Sequence, residues 1–170
     1  NVIGGGDFAK DRIIPDCIRA ALDNKDISIR NPLSVRPYQH VLDPLYAYLM
    51  IAAYQYENKK YSGSYNIGPD IEDCVETKKL VDIFVKEWDG DIKWVNCSDG
   101  GPHEANLLKL DCSKVKSVFK WEPNWNIEMS IRKVVEWTNV WNEQKDISEC
   151  MNRQIAEFME QVYIKEKDNA

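Results

Sequence analysis

Two stretches near the start of the chain decide the fold: NVIGGGDFAKDRIIPDCIRA (residues 1–20) and RNPLSVRPYQHVLDP (residues 30–44). The first opens with a short apolar run and three glycines, a pattern typical of a strand that ends in a tightly turning loop. Apolar residues then recur at three- and four-residue spacing, and Pro15 is tolerated in a first helical turn, which predicts a helix over about 11–23. The second stretch ends in Asp43-Pro44, which predicts a helix over about 43–57 with Asp43 as its N-cap.

The rest of the chain alternates short extended segments with amphipathic helices. Apolar periodicity predicts further helices over about 77–88, 111–119 and 127–143, and a last helix that ends near 165. Strands are predicted at 27–30, 39–42, 64–67, 93–96 and 107–110. This pattern indicates a helix-rich α/β fold whose strands are too few and too short for a complete doubly wound sheet.

Composition indicates a globular protein of one domain. The chain has 170 residues, of which 44% are hydrophobic and 29% charged, so it is long enough to bury one core. Its net charge is −6, and its Lys and Arg residues are scattered, which argues against a nucleic-acid-binding surface. An anionic ligand would therefore have to be held by a few placed arginines.

The five cysteines do not suggest a disulfide framework or a zinc site. They are odd in number and include no C-x-x-C pair, so we expect reduced thiols. No apolar run is long enough to span a bilayer, and no charged-then-apolar leader opens the sequence. We therefore expect a soluble, cytoplasmic protein that does not bind a membrane.

Several sequence blocks resemble those of one enzyme family. Arg36 lies in RPYQHVLDP, and Arg12 lies in DRIIPD. The blocks PHEA (102–105) and LKLDCSK (108–114) follow later, and the resemblance continues through QIAEF (154–158). Together they resemble the CDP-glucose 4,6-dehydratases, a branch of the extended short-chain dehydrogenases/reductases. The chain departs from that pattern at Asn106-Leu107, where the family has a histidine and an aromatic residue.

The resemblance implies which part of such an enzyme the chain represents. Residues 1–170 would form the C-terminal substrate-binding domain, an incomplete Rossmann-type architecture from which the NAD-binding part is absent. The parent would be an NAD-dependent lyase that converts CDP-glucose to CDP-4-keto-6-deoxyglucose. This chain alone would bind no NAD or metal, carry no catalytic residue and be inactive. Its expected partners are the missing N-terminal half or further copies of the chain.

The resemblance also assigns candidate substrate-binding residues. Arg36 would bind the pyrophosphate, because a guanidinium can donate two parallel hydrogen bonds to phosphate and stays charged. A surface salt bridge is its alternative explanation. For Arg12 the alternative is an ion pair with Asp11 or Asp16, and for Asn66 it is a buried amide at the end of a strand. The predicted substrate-binding residues are Asn1, Arg12, Arg36, Asn66, His103 and Glu104.

Other motifs are better explained by structure than by chemistry. The glycine triplet lacks the context of a dinucleotide or triphosphate loop, so we interpret it as a turn. Two Tyr-x-x-x-Lys matches, Tyr56 with Lys60 and Tyr163 with Lys167, share the catalytic spacing of the reductase group but fall at predicted helix ends, so we interpret them as accidental. A lone His40 beside apolar residues is expected to be structural. Inward packing is expected for the tryptophans at 121, 125, 137 and 141.

Two other functions remain open from the sequence. The chain could be a non-catalytic sugar-nucleotide-binding or assembly module. It could also be part of a related dehydratase or epimerase that acts on a different nucleotide sugar, such as a UDP- or GDP-linked hexose.

Overall fold

The computed structural model describes residues 1–88, 90–98 and 107–168. Helices and strands alternate along the chain, as the sequence predicts. The strands are β1 (Val2–Ile3), β2 (Ile27–Ile29), β3 (Val35–Pro37), β4 (Gln39–His40), β5 (Cys74–Glu76) and β6 (Trp94–Asn96). The helices are α1 (Ile13–Leu22), α2 (Leu42–Glu57), α3 (Thr77–Glu87), α4 (Ser113–Phe119), α5 (Ile127–Asn142) and α6 (Ile147–Asp168). Short 3₁₀ turns occupy Lys59–Tyr61 and Ile71–Asp73.

Within the described residues the strands form three separate pairs. Strand β1 runs parallel to β4, and β2 runs parallel to β6 with Ile27 opposite Trp94. Strand β3 is antiparallel to β5, with Arg36 opposite Val75. Parallel pairing requires a crossover between the two strands, which the intervening helices provide. The fold is therefore α/β and helix-rich, with short strands, as predicted.

The main core lies between helices α1, α3 and α5. Each of these helices has a stripe of apolar residues at helical spacing, and α3 packs against both of the others. Phe84 of α3 and Ile131 of α5 are fully buried in this core. Replacing a buried phenylalanine with alanine typically costs about 3–5 kcal/mol of stability, so this helix layer is a major source of the stability of the fold.

Helix α6 packs against the rest of the fold through an ion pair with the buried Lys133 and through aromatic contacts. Lys133 of α5 forms ion pairs with Glu136 on its own helix and with Glu157 of α6. Phe158 of α6 packs against Trp125, with ring centroids 5.2 Å apart. Because Lys133 is buried, losing one of its acidic partners would leave an uncompensated charge in the interior.

Three local predictions are wrong. Residues 64–67 do not form a strand, and the Ile67 carbonyl accepts a hydrogen bond from the Gln39 side chain. Residues 107–110 contribute a single bridge, from Leu107 to Val35. Asp43 does not cap α2, because the helix already begins at Leu42, one residue before Asp43. It is fully buried and accepts a hydrogen bond from the backbone N–H of Asn124 at 2.6 Å.

Candidate functional site

A cleft of about 710 Å³ opens between elements from the N-terminal part of the chain. Its walls come from β1, the loop and first turn of α1, the end of β2, and β3 with the residues beside it. Because β2 and β6 are parallel, the residues that follow them, Arg30 and Ser98, lie at the same edge and both line the cleft. Ligands of α/β proteins commonly bind beyond the carboxyl ends of parallel strands. The volume falls within the usual range of small-molecule sites.

The cleft wall combines three arginines with three aspartates. The cleft is lined by Arg12, Arg30 and Arg36 together with Asp7, Asp11 and Asp16. Arg12 lies 3.7 Å from Asp7, so its expected ion pair forms with that residue instead of with Asp11 or Asp16. An Nη atom of Arg36 donates to the Val35 carbonyl at 2.9 Å, and its side chain is half-buried. A dianionic ligand in this cleft would meet guanidinium groups with carboxylates beside them.

Hydroxyl groups form the floor of the cleft beneath Arg36. The hydroxyl of Tyr38 is hydrogen-bonded to the side chains of Asn1 and Thr77. The Thr77 and Ser34 hydroxyl oxygens lie 2.9 Å apart, and Thr77 also donates to the Ser34 carbonyl. Burial raises the pKa of Tyr38, so the phenol stays neutral. Tyr38 and Thr77 line the cleft together with Asn1, and sequence reasoning missed both of them.

The glycine triplet is a packed turn. A Cβ placed on Gly5 would lie 2.1 Å from the Trp137 ring, and one on Gly4 would lie 2.9 Å from Val41. Gly6 has a φ of +79°, which side chains rarely adopt. Because the indole lies against the Gly5 backbone, the loop has no open backbone cradle there for a phosphate group. The structural interpretation of the triplet is supported.

The structure brings three of the predicted substrate-binding residues together. Asn1, Arg12 and Arg36 all line the cleft. Asn66 does not line it, and it is exposed, with its side-chain amide donating to the Asp111 carbonyl at 3.1 Å. His103 and Glu104 lie outside the described residues. A role in binding substrate remains a prediction for all of them.

Two buried ionisable residues lie away from the cleft. The His40 ring packs 4.8 Å from Trp125, and burial together with nearby Lys133 lowers its pKa to about 4. Burial raises the pKa of Asp43 to about 6, although two backbone N–H groups oppose this shift. Neither residue lines the cleft. His40 is neutral and packed in the interior, as a structural residue would be.

The four tryptophans that were expected to pack inward fall into two pairs. Trp121 and Trp125 are buried, as predicted. Trp137 and Trp141 instead stack on each other near the surface with Phe8 alongside, and Trp141 is 40% exposed. Inward packing was therefore wrong for Trp141. None of the four indoles lines the cleft.

The Tyr-x-x-x-Lys matches also lie outside the cleft. Tyr56 is 94% exposed near the end of α2, and Tyr163 lies on α6 with Lys167 next to its ring. Among the described residues there is no cluster of His, Cys, Asp and Glu that could hold a metal ion. Within the same part of the chain, no helix is long and apolar enough to cross a membrane.

Comparison with known proteins gives one sequence relative and several structural ones. No protein-family profile matches the chain. CDP-glucose 4,6-dehydratase from Salmonella typhimurium is 42% identical to it over 160 residues, which is 94% of this chain and 45% of that enzyme. A dTDP-glucose 4,6-dehydratase from Bacillus anthracis, solved with NAD, superposes with a TM-score of 0.65 at 23% identity over 85% of this chain and 44% of the enzyme.

A further solved structure shares the fold at lower identity. A UDP-glucose-4-epimerase from Stenotrophomonas maltophila, with NAD and formylated UDP-arabinopyranose bound, superposes with a TM-score of 0.70 at 14% identity over 85% of this chain and 47% of that protein. The chain therefore spans a little less than half the length of each of these relatives.

Proposed function

We propose that this chain is the nucleotide-sugar-binding portion of a CDP-glucose 4,6-dehydratase. The chain is related to an enzyme of that name and has the fold of part of an extended short-chain dehydrogenase/reductase. The substrate would be CDP-glucose and the product CDP-4-keto-6-deoxyglucose. The observation that supports this most strongly is the meeting of Arg12 and Arg36 with Asn1 in one cleft of ligand size.

The cleft suits a diphosphate that joins a nucleoside to a hexose. Two guanidinium groups that line one cleft can each donate hydrogen bonds to phosphate oxygens, and such charge-assisted bonds are stronger than neutral ones. The amide of Asn1 can both donate and accept, so it can bind either a phosphate oxygen or a sugar hydroxyl.

We assign NAD to the part of the enzyme that this chain does not span. NAD in the parent would accept and return the hydride while water leaves the sugar. The glycine loop described here does not fit a dinucleotide, because Trp137 covers Gly5 and Val41 lies against Gly4. We expect the isolated chain to bind nucleotide sugar without converting it, which mass spectrometry of incubated CDP-glucose would test by the loss of one water.

Titration calorimetry tests the binding role of Arg36. CDP-glucose is titrated into the full-length natural polypeptide and its Arg36→Ala variant, and we expect the variant to bind about ten- to a hundredfold more weakly. Arg132→Ala is the matched control, since Arg132 is exposed, pairs with Glu87 and lies outside the cleft. Equal affinity in wild type and Arg36→Ala would remove Arg36 from the site.

The choice of nucleotide is tested by competition. The chain has Asn106-Leu107 where the family has a histidine and an aromatic residue, so base preference is the least constrained part of the proposal. We expect CDP-glucose to displace UDP- and GDP-linked hexoses. Stronger binding of either competitor would assign the chain to a related dehydratase or epimerase.

A partner surface on α2 supports the proposal that a further part of the enzyme docks here. Leu45, Tyr48, Leu49 and Tyr56 share one face of this helix and are all exposed. Such a stripe is costly to leave in water, and the relatives contain more than half their length beyond what this chain spans. We expect the isolated chain to self-associate in sedimentation, and Leu49→Glu to reduce that association.

A non-catalytic binding module is the alternative function. It would bind nucleotide sugars with the same cleft but would occur without a dehydrogenase partner. Mass spectrometry of the natural polypeptide, and of proteins that co-purify with it, distinguishes the two.

A further inference from the structure

Arg30 is a cleft residue that the motifs do not assign. It directly follows β2, and its side chain lines the same cleft as Arg12 and Arg36. Its Nη2 atom donates to Asp11 Oδ1 at 3.3 Å, while both side chains remain largely exposed. This ion pair connects the loop before α1 with the end of β2, across the mouth of the cleft.

Asp11 occupies an unusual backbone conformation. Its φ is 60°, in the left-handed region, which costs a residue with a side chain about 1 kcal/mol even though aspartate tolerates it better than most. Strained residues of this kind cluster at functional sites. Here the conformation places the Asp11 carboxylate beside Arg30.

The ion pair leaves part of the guanidinium available. A guanidinium carries five N–H donors in a planar fork, and the hydrogen bond to Asp11 uses one nitrogen. One edge of the fork can therefore contact Asp11 while the other contacts a second anion. A surface ion pair of this exposure contributes little to stability by itself, so stability is a weak explanation for it.

We propose that Arg30 is a third diphosphate-binding residue of the cleft and that Asp11 is a positioning residue that holds its guanidinium toward the ligand. This inference rests on the proposed function and deepens it, because it adds a residue and a charge to the same site. The three arginines share the cleft with Asp7, Asp11 and Asp16, so a diphosphate would be bound by directed hydrogen bonds from the guanidinium groups and not by a net positive charge of the cleft.

The test uses CDP and cytidine as probes with the full-length natural polypeptide. Arg30→Gln should weaken CDP binding about tenfold or more, since it removes a charge-assisted contact, and should leave cytidine binding unchanged. Asp11→Asn should weaken CDP binding by a smaller factor, about threefold, and should have no further effect when Arg30 is already glutamine. Arg132→Gln, outside the cleft, serves as the control and should bind like wild type.

The possible outcomes separate this inference from the proposed function. Normal CDP binding by Arg30→Gln, with weakened binding by Arg36→Gln, would overturn the role of Arg30 and leave the proposed function intact. Normal binding by both variants would overturn the proposed function itself. An equal effect of Asp11→Asn with and without Arg30 would refute the positioning role of Asp11. Circular dichroism of each variant confirms that the fold is retained.

Discussion

Adding one methyl group at Gly5 should destabilise the protein through Trp137. The new Cβ would lie 2.1, 2.3 and 2.6 Å from three atoms of the indole, all well inside van der Waals contact. The φ of Gly5 lies outside the left-handed region, so alanine is compatible with the backbone and the clash is the dominant effect. The indole cannot shift freely, because it stacks on Trp141 and contacts Phe8.

The expected cost follows from two opposing contributions. Overpacking of this kind costs about 1–3 kcal/mol. Replacing glycine with alanine also reduces the entropy of the unfolded chain, which stabilises the folded state by about 0.4–1 kcal/mol. We therefore expect Gly5→Ala to lower the free energy of unfolding by about 1–2 kcal/mol. Urea denaturation of the full-length polypeptide, followed by far-ultraviolet circular dichroism, measures this loss.

A double-mutant cycle identifies the cause. In a Trp137→Ala background the clashing Cγ, Cδ1 and Cδ2 atoms are gone, so Gly5→Ala should become neutral or stabilising. In a Trp141→Leu background, which removes the neighbouring indole, the cost should persist. The same loss in all three backgrounds would show that the glycine is needed for another reason, and would reopen its interpretation as a phosphate-binding loop.

Three further predictions concern buried polar groups. Asp43→Ala should cost more stability than Asp43→Asn, by about 1–3 kcal/mol in urea denaturation, because only asparagine keeps an acceptor for the Asn124 N–H. Because the pKa of Asp43 is raised from 3.8 to about 6, the stability that Asp43 contributes falls by up to about 3 kcal/mol as pH rises through that range, and Asp43→Asn should remove this pH-dependent contribution. His40 acts in the opposite direction: its pKa is lowered from 6.5 to about 4, so the stability that His40 contributes falls by a similar amount as pH falls between those values. The two contributions largely cancel in the wild type, so Asp43→Asn should lose stability as pH falls through this range and His40→Gln should lose stability as pH rises through it. Unchanged pH profiles in these two variants would contradict the assigned protonation states. Tyr38→Phe should weaken CDP-glucose binding about two- to fivefold in calorimetry, because it releases the Asn1 amide, and wild-type affinity would show that the amide is held by other contacts.

The sequence predicted the helices well and the strands poorly. All six helices have strong apolar periodicity or clear end signals, and these local patterns determine their positions to within a few residues. Strands β3 and β5 were missed, because neither has an apolar pattern of its own and their pairing joins Arg36 to Val75, far apart in the chain. Asp43 was misassigned for a related reason. Its local sequence is that of a helix cap, but a contact with Asn124, 81 residues away, determines its role.

The sequence predicted those residues of the candidate site to which a recognisable motif assigned a role. Arg12, Arg36 and Asn1 were identified from blocks that resemble a known family, and the structure brings them into one cleft. Tyr38 lies in the block RPYQHVLDP but was assigned no role there, and Arg30 and Thr77 were not singled out by any motif. All three join the cleft through strand pairing and side-chain packing. A signal for Arg30 did exist, since it is the last residue of the predicted strand 27–30, and α/β proteins often bind ligands at the carboxyl ends of strands.

A crystal structure of the full-length polypeptide with CDP-glucose tests the central claim most directly. We predict that the diphosphate lies in the cleft, with guanidinium nitrogens of Arg36 at hydrogen-bonding distance, about 2.7–3.2 Å, from its oxygens. A diphosphate bound elsewhere, with Arg36 making no contact to it, would contradict the assignment of this cleft as the nucleotide-sugar site.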